Sequence, residues 1–459
     1  MLPPVLPPVL PPVDPVDPVE RPPELLEPAP EPAPVVPPVV RPPDVRREVP
    51  PPEGTPPTGT SAGETKQAVR RNEAAQAILS QEPGGSVTHS NVAGATGGVK
   101  LADRTLLRSA SKVGYARSVP LVLRDDLFLL HDPGAGHPEN PGRLRAIYDA
   151  LDERPMPGVV NGKPLPARRA DLERIHTPDY VDALESVAGR RAQLDPDTAM
   201  SPRSYEAACL AAGAAVQATE AVVAGSADGA FALVRPPGHH AEADRAMGFC
   251  LLNNVAIAAA FAVDELACKR VLVLDPDVHH GNGTQWAFWR RPDVLYVSSH
   301  RFPFYPGTGS IAEIGDGPGT GYTINLPLPA GAGDGDILHL YEAVVAPVVA
   351  EWQPDLILVS AGFDSWKHDP LGGLQVSEQG FQALFALFRG WADQHCPGRL
   401  ALALEGGYDP EGLVAGVRAA LGSLGGVTAP PVSAAPRAAV QSVVAQAKIL
   451  LAPHWHALR

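Results

Sequence analysis

The sequence predicts an α/β fold built on a parallel sheet with helices on both faces. Three observations predict it. From about Val119 onward, apolar runs of strand length recur. They alternate with Ala- and Leu-rich stretches of helix length, the pattern of strands buried on both sides. Clusters rich in His, Asp and Gly stand directly after the runs, where the ligand sites of parallel sheets lie.

Residues 1–60 hold 23 of the chain's 53 prolines. Proline lacks an N–H and fixes φ, so no packed core tolerates that density. The repeat LPPVLPPVLPPV favours extended polyproline II, as a stiff spacer, a groove ligand or an unstructured extension. Residues 61–115 are rich in Ser, Gly, Ala and Arg, with a weak helical pattern around Lys66–Leu79, and read as a flexible linker. A single large domain is expected over 116–456. Strands are predicted at 119–123, 230–234, 271–275, 294–298, 322–326, 355–360 and 400–404. Helices are predicted at 204–224, 251–268, 337–352 and 377–394.

Composition excludes several classes. A net charge of −14, with −13 of it in residues 121–459, gives no overall electrostatic reason to bind nucleic acid. Four cysteines without CxxC spacing suggest a reducing compartment, the cytoplasm, and no cysteine metal site. No apolar run reads as a membrane span and no secretory signal is evident, so no membrane partner is expected. Seven lysines against 30 arginines fit a high-GC, bacterial genome.

Five polar clusters carry the chemistry. Asp275, Asp277 and His279 alternate at a strand end, where i, i+2 and i+4 point to one side. Two carboxylates and an imidazole suit a divalent ion such as Zn²⁺. Alone, this segment is equally consistent with a solvated strand end. Asp364 ends the apolar run DLILVSAGF with no basic residue beside it, and a buried carboxylate needs a partner or a metal. With Asp277 and His279 it would make three ligands and leave an open position, as catalytic sites do. His239 and His240 follow another strand; two neighbouring imidazoles cannot both be charged cheaply, so their acidities should separate. One can then serve as base and the other as electrostatic partner, with Asp275 and Asn282 as orienting acceptors. Tyr408 follows Gly406 and Gly407 and can donate to a developing oxyanion. The fifth cluster is His131–Arg143, HDPGAGHPENPGR.

The segments RPPGHHA, GFCLLNN, DPDVHHGNGTQ, FYPGTG, SAGFD with DPLGG, and LEGGYD together resemble the histone deacetylase superfamily. They are most similar to its class II members and bacterial relatives. The resemblance covers about 118–425 and implies a three-layer arginase/deacetylase fold with an approximately eight-stranded, mostly parallel sheet. It implies zinc, or Fe²⁺ or Co²⁺ in vivo, held by Asp277, His279 and Asp364. It also implies a structural potassium ion near the Asp275–His279 loop and Ser298–Ser299. His240 becomes the general base and then acid, His239 its electrostatic partner and Asp275 the orienting acid. Asn282 stands where some relatives carry Asp. Tyr408 would polarise the scissile carbonyl. Phe249, Tyr305, Gly248 and Gly407 would line the substrate channel, Asp197 would hold a substrate amide at its rim, and Arg143 would stand by an acetate exit.

The implied partners are acylated lysine peptides or proteins, with acylated polyamines as the alternative substrates. A two-manganese ureohydrolase lacks support, because Asp277-Val278-His279-His280-Gly281 misses the final acid such sites need. A silent binding module would have lost a ligand or the tyrosine, and neither is lost. Two departures from the family pattern are Pro276, between the two aspartates, and the bulky Ser365–His368 segment, which would bring Trp366 to the channel mouth.

Overall fold

The computed structural model describes residues 119–459. The Pro-rich segment, the linker and the helical pattern near Lys66–Leu79 lie outside the described residues. The predicted strands form: β1 (Leu121–Leu123), β5 (Ala230–Ala232), β6 (Val271–Asp275), β7 (Val294–Arg301), β8 (Thr323–Leu328), β9 (Leu356–Ala361) and β10 (Leu400–Leu404). A short edge strand, β2 (Val160–Gly162), completes an eight-stranded sheet ordered β2-β1-β5-β10-β9-β6-β7-β8. Every pairing in it is parallel. Two further strands, β3 (Ala192–Asp195) and β4 (Thr198–Met200), form a separate antiparallel hairpin. The apolar rule misses β2 and this hairpin because neither is buried on both faces.

The core follows from composition. All of Val271–Asp275 and Leu400–Leu404 is buried, so helices must cover both faces. Each fully buried Val or Leu stabilises the fold by about 1.5–3 kcal/mol. The helix Ser204–Val223 packs against β5, β10 and the helix Asn254–Leu266. It is long and apolar enough to cross a membrane, which corrects the sequence reading, but 67% of its apolar window is buried inside the fold. Gly213 lets it approach residues 165–167, because a Cβ there would lie 2.0 Å from the Leu165 carbonyl. The predicted helix at 337–352 is three pieces: α-helix over Asp334–Leu340, a π-turn over Tyr341–Val345 and α-helix over Ala346–Trp352.

Sheet order positions the site. Strands β5, β10, β9 and β6 are consecutive neighbours, and each hands one polar cluster to the same carboxyl edge; the fifth, His131–Arg143, comes after β1, the neighbour of β5. Pro276 is accommodated: Asp275 remains paired with Ser298 as the last residue of β6.

Candidate active site

The loop after β6 brings Asp277 and His279 together, and the loop after β9 supplies Asp364. Asp277 Oδ1 accepts the His279 N–H (2.9 Å) and its Oδ2 accepts the Gly406 N–H (3.0 Å). Asp364 Oδ1 accepts the Val278 N–H (2.8 Å). Its Oδ2 has no hydrogen-bond donor, although His279 Nδ1 stands 3.2 Å away. The same Nδ1 is 3.2 Å from Asp277 Oδ1. One imidazole nitrogen hydrogen-bonded to Asp277 Oδ1 and equally near the unpartnered Asp364 Oδ2 places the three donors around a common point. Tetrahedral coordination with bonds of about 2.0 Å separates its donors by about 3.3 Å, so the three side chains fit a zinc-like ion. Asp275 is not part of this triad; its carboxylate turns towards His239 and Tyr296.

Electrostatics agrees with that fit. Burial and the neighbouring Asp277 charge push Asp364 up to about 7. Burial works against charge on Asp277 too, but His239 and His279 hold it well below the usual carboxylate range. His279 rises to about 9 against its own burial, because both carboxylates face it. The ligand set therefore holds protons that a divalent ion displaces on binding. Space around it is tight: a Cβ at Gly362 would lie 1.9 Å from Asp277 Oδ2. Gly362→Ala is expected to weaken metal affinity by about 10- to 100-fold with an unchanged circular dichroism spectrum. Competition with a chromogenic chelator measures this, and wild-type affinity would contradict it.

The histidine pair follows β5. His239 Nδ1 donates to Asp275 Oδ2 (3.1 Å), and His240 Nδ1 meets Asn282 Oδ1 (2.8 Å). The rings lie 4.0 Å apart. Burial opposes charge on both, yet Asp275 and Asp277 lift His239 well above the ordinary imidazole range. Burial and the charges of His239 and His279 push His240 well below it. The pair thus splits into one cation and one neutral base. Glu405 anchors the turn by accepting the Gly238 N–H (2.6 Å) and the His239 N–H (3.1 Å).

Tyr408 sits on the Gly-Gly turn after β10. Gly407 has φ +116°, a conformation that favours glycine. Arg143 locks this turn, donating from Nε to Gly407 O (2.6 Å) and from Nη2 to Glu405 O (2.5 Å). Its guanidinium lies 4.9 Å from the Tyr408 ring centre. Asp369 Oδ2 accepts the N–H of Tyr408 (2.7 Å) and of Asp409 (3.2 Å). Burial, with Asp364 and Asp277 nearby, raises the Tyr408 phenol well above its ordinary value against the pull of Arg143, so the hydroxyl stays a donor.

The walls are aromatic. Phe249 meets Tyr408 edge-on (5.9 Å), and Tyr305 meets His240 edge-on (5.2 Å). Phe249 has φ +68°, unusual for a bulky residue, and the hairpin holds it there. Thr198 Oγ1 accepts its N–H (3.0 Å), and Asp197 Oδ1 accepts the Gly248 N–H (3.1 Å). Asp197 therefore already serves the protein with one oxygen. Gly248 is required by closeness, since a Cβ would lie 2.3 Å from the His240 ring.

Several residues escape the sequence reading. Phe304 stacks on His279 (5.4 Å, 11°) with the Arg301 guanidinium 4.0 Å from its ring centre. Its only signal was membership of FYPGTG. Asp369 and Glu405 had none beyond their motifs. Trp366 is a correction: it is buried, stacks on Phe381 (6.2 Å) and packs against Gly412, so it lies in the core and not at the channel mouth. Aromatic bulk after the third ligand suggested a rim, but residues 364–376 fold back, and Trp366 pairs with Val376.

The profile of the histone deacetylase domain matches residues 137–424. Histone deacetylase 5 of Arabidopsis thaliana is 41% identical over 315 residues, covering 64% of this chain and 47% of that protein. The chain thus spans about half the length of that relative. A probable deacetylase of Archaeoglobus fulgidus is 39% identical over 288 residues, covering 62% of this chain and 80% of its own. The histone deacetylase-like amidohydrolase of Pseudomonas aeruginosa is 39% identical over 279 residues, covering 60% and 73%. Among solved structures, the HD domain of HDA15 is similar with a TM-score of 0.69 and 35% identity, covering 74% of this chain and 96% of its own.

Proposed function

This chain belongs to the histone deacetylase family, and from that premise we propose that it is a metal-dependent amidohydrolase. Its proposed reaction removes acetyl, or a related acyl group, from lysine side chains of peptides or proteins. Water adds across the amide bond; the acyl group leaves as a carboxylate and the lysine nitrogen as a free amine.

Asp277, His279 and Asp364 would hold the ion. When bound, a zinc-like ion supplies Lewis-acid polarisation at the carbonyl and acidifies water. The chain's own groups do the rest. His240, neutral and with Nδ1 engaged by Asn282, offers Nε2 to take a proton from water and return it to the leaving nitrogen. The cationic His239, tied to Asp275, adds positive charge beside the reacting carbon. Tyr408 donates a hydrogen bond from its hydroxyl to the developing oxyanion. Phe249 and Tyr305 grip the aliphatic linker and exclude water, with Gly248 and Gly407 allowing close approach. Asp197 would receive a substrate backbone N–H on its second oxygen, and Arg143 would attract the departing carboxylate. A potassium ion in the turn between Asp275 and His279, beside Ser298 and Ser299, belongs to the same reading, as does a cytoplasmic setting.

The observation that carries this reading is an oriented His240 beside three buried donors that converge on one point, with Asp364 Oδ2 left without a hydrogen-bond donor. One activity panel tests it: acetyl-lysine peptides, longer acyl-lysines and acetylated polyamines, each with and without a chelator. The expected result is chelator-sensitive release of carboxylate from acyl-lysine peptides. Turnover of polyamines alone would move the substrate to small amines, and turnover of none would defeat the amidohydrolase reading.

A further inference from the structure

We infer that Glu242 is a positioning residue for His240, acting through the side-chain amide of Asn282. The inference rests on the reading of His240 as the base.

An amide is nearly symmetric in shape, and its oxygen and nitrogen exchange when it turns over. His240 Nδ1 faces the Asn282 oxygen at 2.8 Å. The other end of the amide, Nδ2, donates to Glu242 Oε1 at 2.7 Å. Its remaining neighbours are also acceptors, Met247 Sδ at 3.3 Å and the His240 carbonyl at 3.4 Å. A turned amide would set oxygen against the Glu242 carboxylate, so Glu242 fixes the orientation. With the amide oxygen held towards the ring, Nδ1 must carry the imidazole proton. The lone pair then sits on Nε2, the atom left to act as base. A turned amide would present N–H to Nδ1 and favour the opposite tautomer. In serine proteases, leaving the base in the wrong tautomer costs about 10⁴ in kcat.

The rest of the structure holds Glu242 in place for this. Its carbonyl accepts from His176 Nδ1 (2.9 Å), and its N–H donates to Arg245 O (3.0 Å). His176 Nε2 in turn accepts the Asn253 N–H (2.9 Å). The Glu242 side chain is largely covered and is held from outside by Arg245 Nη2 (2.9 Å). A carboxylate at position 282 would need no such help, because either of its oxygens accepts from Nδ1. Glu242 supplies what an amide lacks there.

That difference gives the test, made on the full metal-loaded chain with an acetyl-lysine peptide. E242L is expected to lower kcat by about tenfold or more, with KM and metal content within about twofold of wild type. E242Q keeps an oxygen acceptor and is expected to retain at least about half of the turnover that E242L loses. N282D alone sets two carboxylates face to face and is expected to be slow. E242L/N282D is expected to return kcat to within about threefold of wild type. Wild-type kcat in E242L overturns the inference, and so does a slow E242L that N282D does not restore. Should E242L fail to fold by circular dichroism, E242Q/N282D against N282D asks the same question. Relief of the N282D defect supports the relay, and an unrelieved defect overturns it. His240→Ala separates the two levels. Undiminished turnover there removes the reading of His240 itself, whereas an inactive His240→Ala beside a wild-type E242L removes only Glu242.

Discussion

Tyr408→Phe is expected to keep the metal and lose turnover, with kcat falling by about 10²–10³ and KM staying within a few fold. The substitution removes one hydroxyl and leaves the ring. The ring's neighbours, Arg143 at 4.9 Å and Phe249 at 5.9 Å, touch its face and edge, so they still hold it. The backbone bonds of the turn to Asp369 and Arg143 do not involve the hydroxyl at all. The three ligand side chains come from the loops after β6 and β9, not from this turn. Ground-state binding should therefore survive, and the loss should fall on the oxyanion. Steady-state kinetics with metal analysis on the same preparation checks this. Near-normal turnover would remove Tyr408 from the chemistry, and lost metal would show that the turn shapes the ligand set.

The parts of this site that are legible from sequence pattern alone, without the family resemblance, share one property: each lies directly after an apolar run. His239, His240, Asp277, His279, Asp364 and Tyr408 all follow a strand, so a parallel sheet brings them to one edge whatever the loops do. Extended-chain alternation groups Asp275 with Asp277 and His279, but the strand ends at Asp275, and that carboxylate turns to His239 instead. What stayed hidden depends on contacts between segments far apart in sequence. Glu139 meets Arg235 across 96 residues, and Asp369 meets Tyr408 across 39. No periodicity encodes such pairs. Trp366 shows the converse failure, since a bulky residue beside a ligand suggested a rim, while burial against Phe381 and Gly412 decided its place. The hairpin behind Phe249 is missed because its strands are short and lack the apolar run that marks the others.

Glu139→Gln is expected to destabilise the fold by about 3–5 kcal/mol at neutral pH, the usual cost of breaking a buried ion pair. Glu139 is fully buried and serves two guanidiniums. Arg235 reaches it from Nε (2.5 Å) and Nη2 (2.7 Å), and Arg143 from Nη1 (2.9 Å). His131 Nε2 stands 3.2 Å from its other side without a formed hydrogen bond. Glutamine fills the same volume but leaves two buried cations facing an amide. The damage should spread to catalysis, because Arg143 also ties down the Gly407 turn that carries Tyr408. Acid should reveal the same charge. Burial alone would raise the Glu139 carboxyl, but Arg235 and the His131 contact hold it well below its ordinary 4.5. A depressed carboxyl stabilises the fold above its unfolded value and loses that contribution as pH falls through the folded one. His131, depressed chiefly by burial, adds a slope of the same sign below 6.5, because the unfolded chain binds its proton more readily. The gap between wild type and Glu139→Gln should therefore persist through mild acid and close only well below pH 4.5. Denaturant midpoints measured from pH 7 to pH 3 test this. A gap of constant size would show that the variant fails through packing and not through charge.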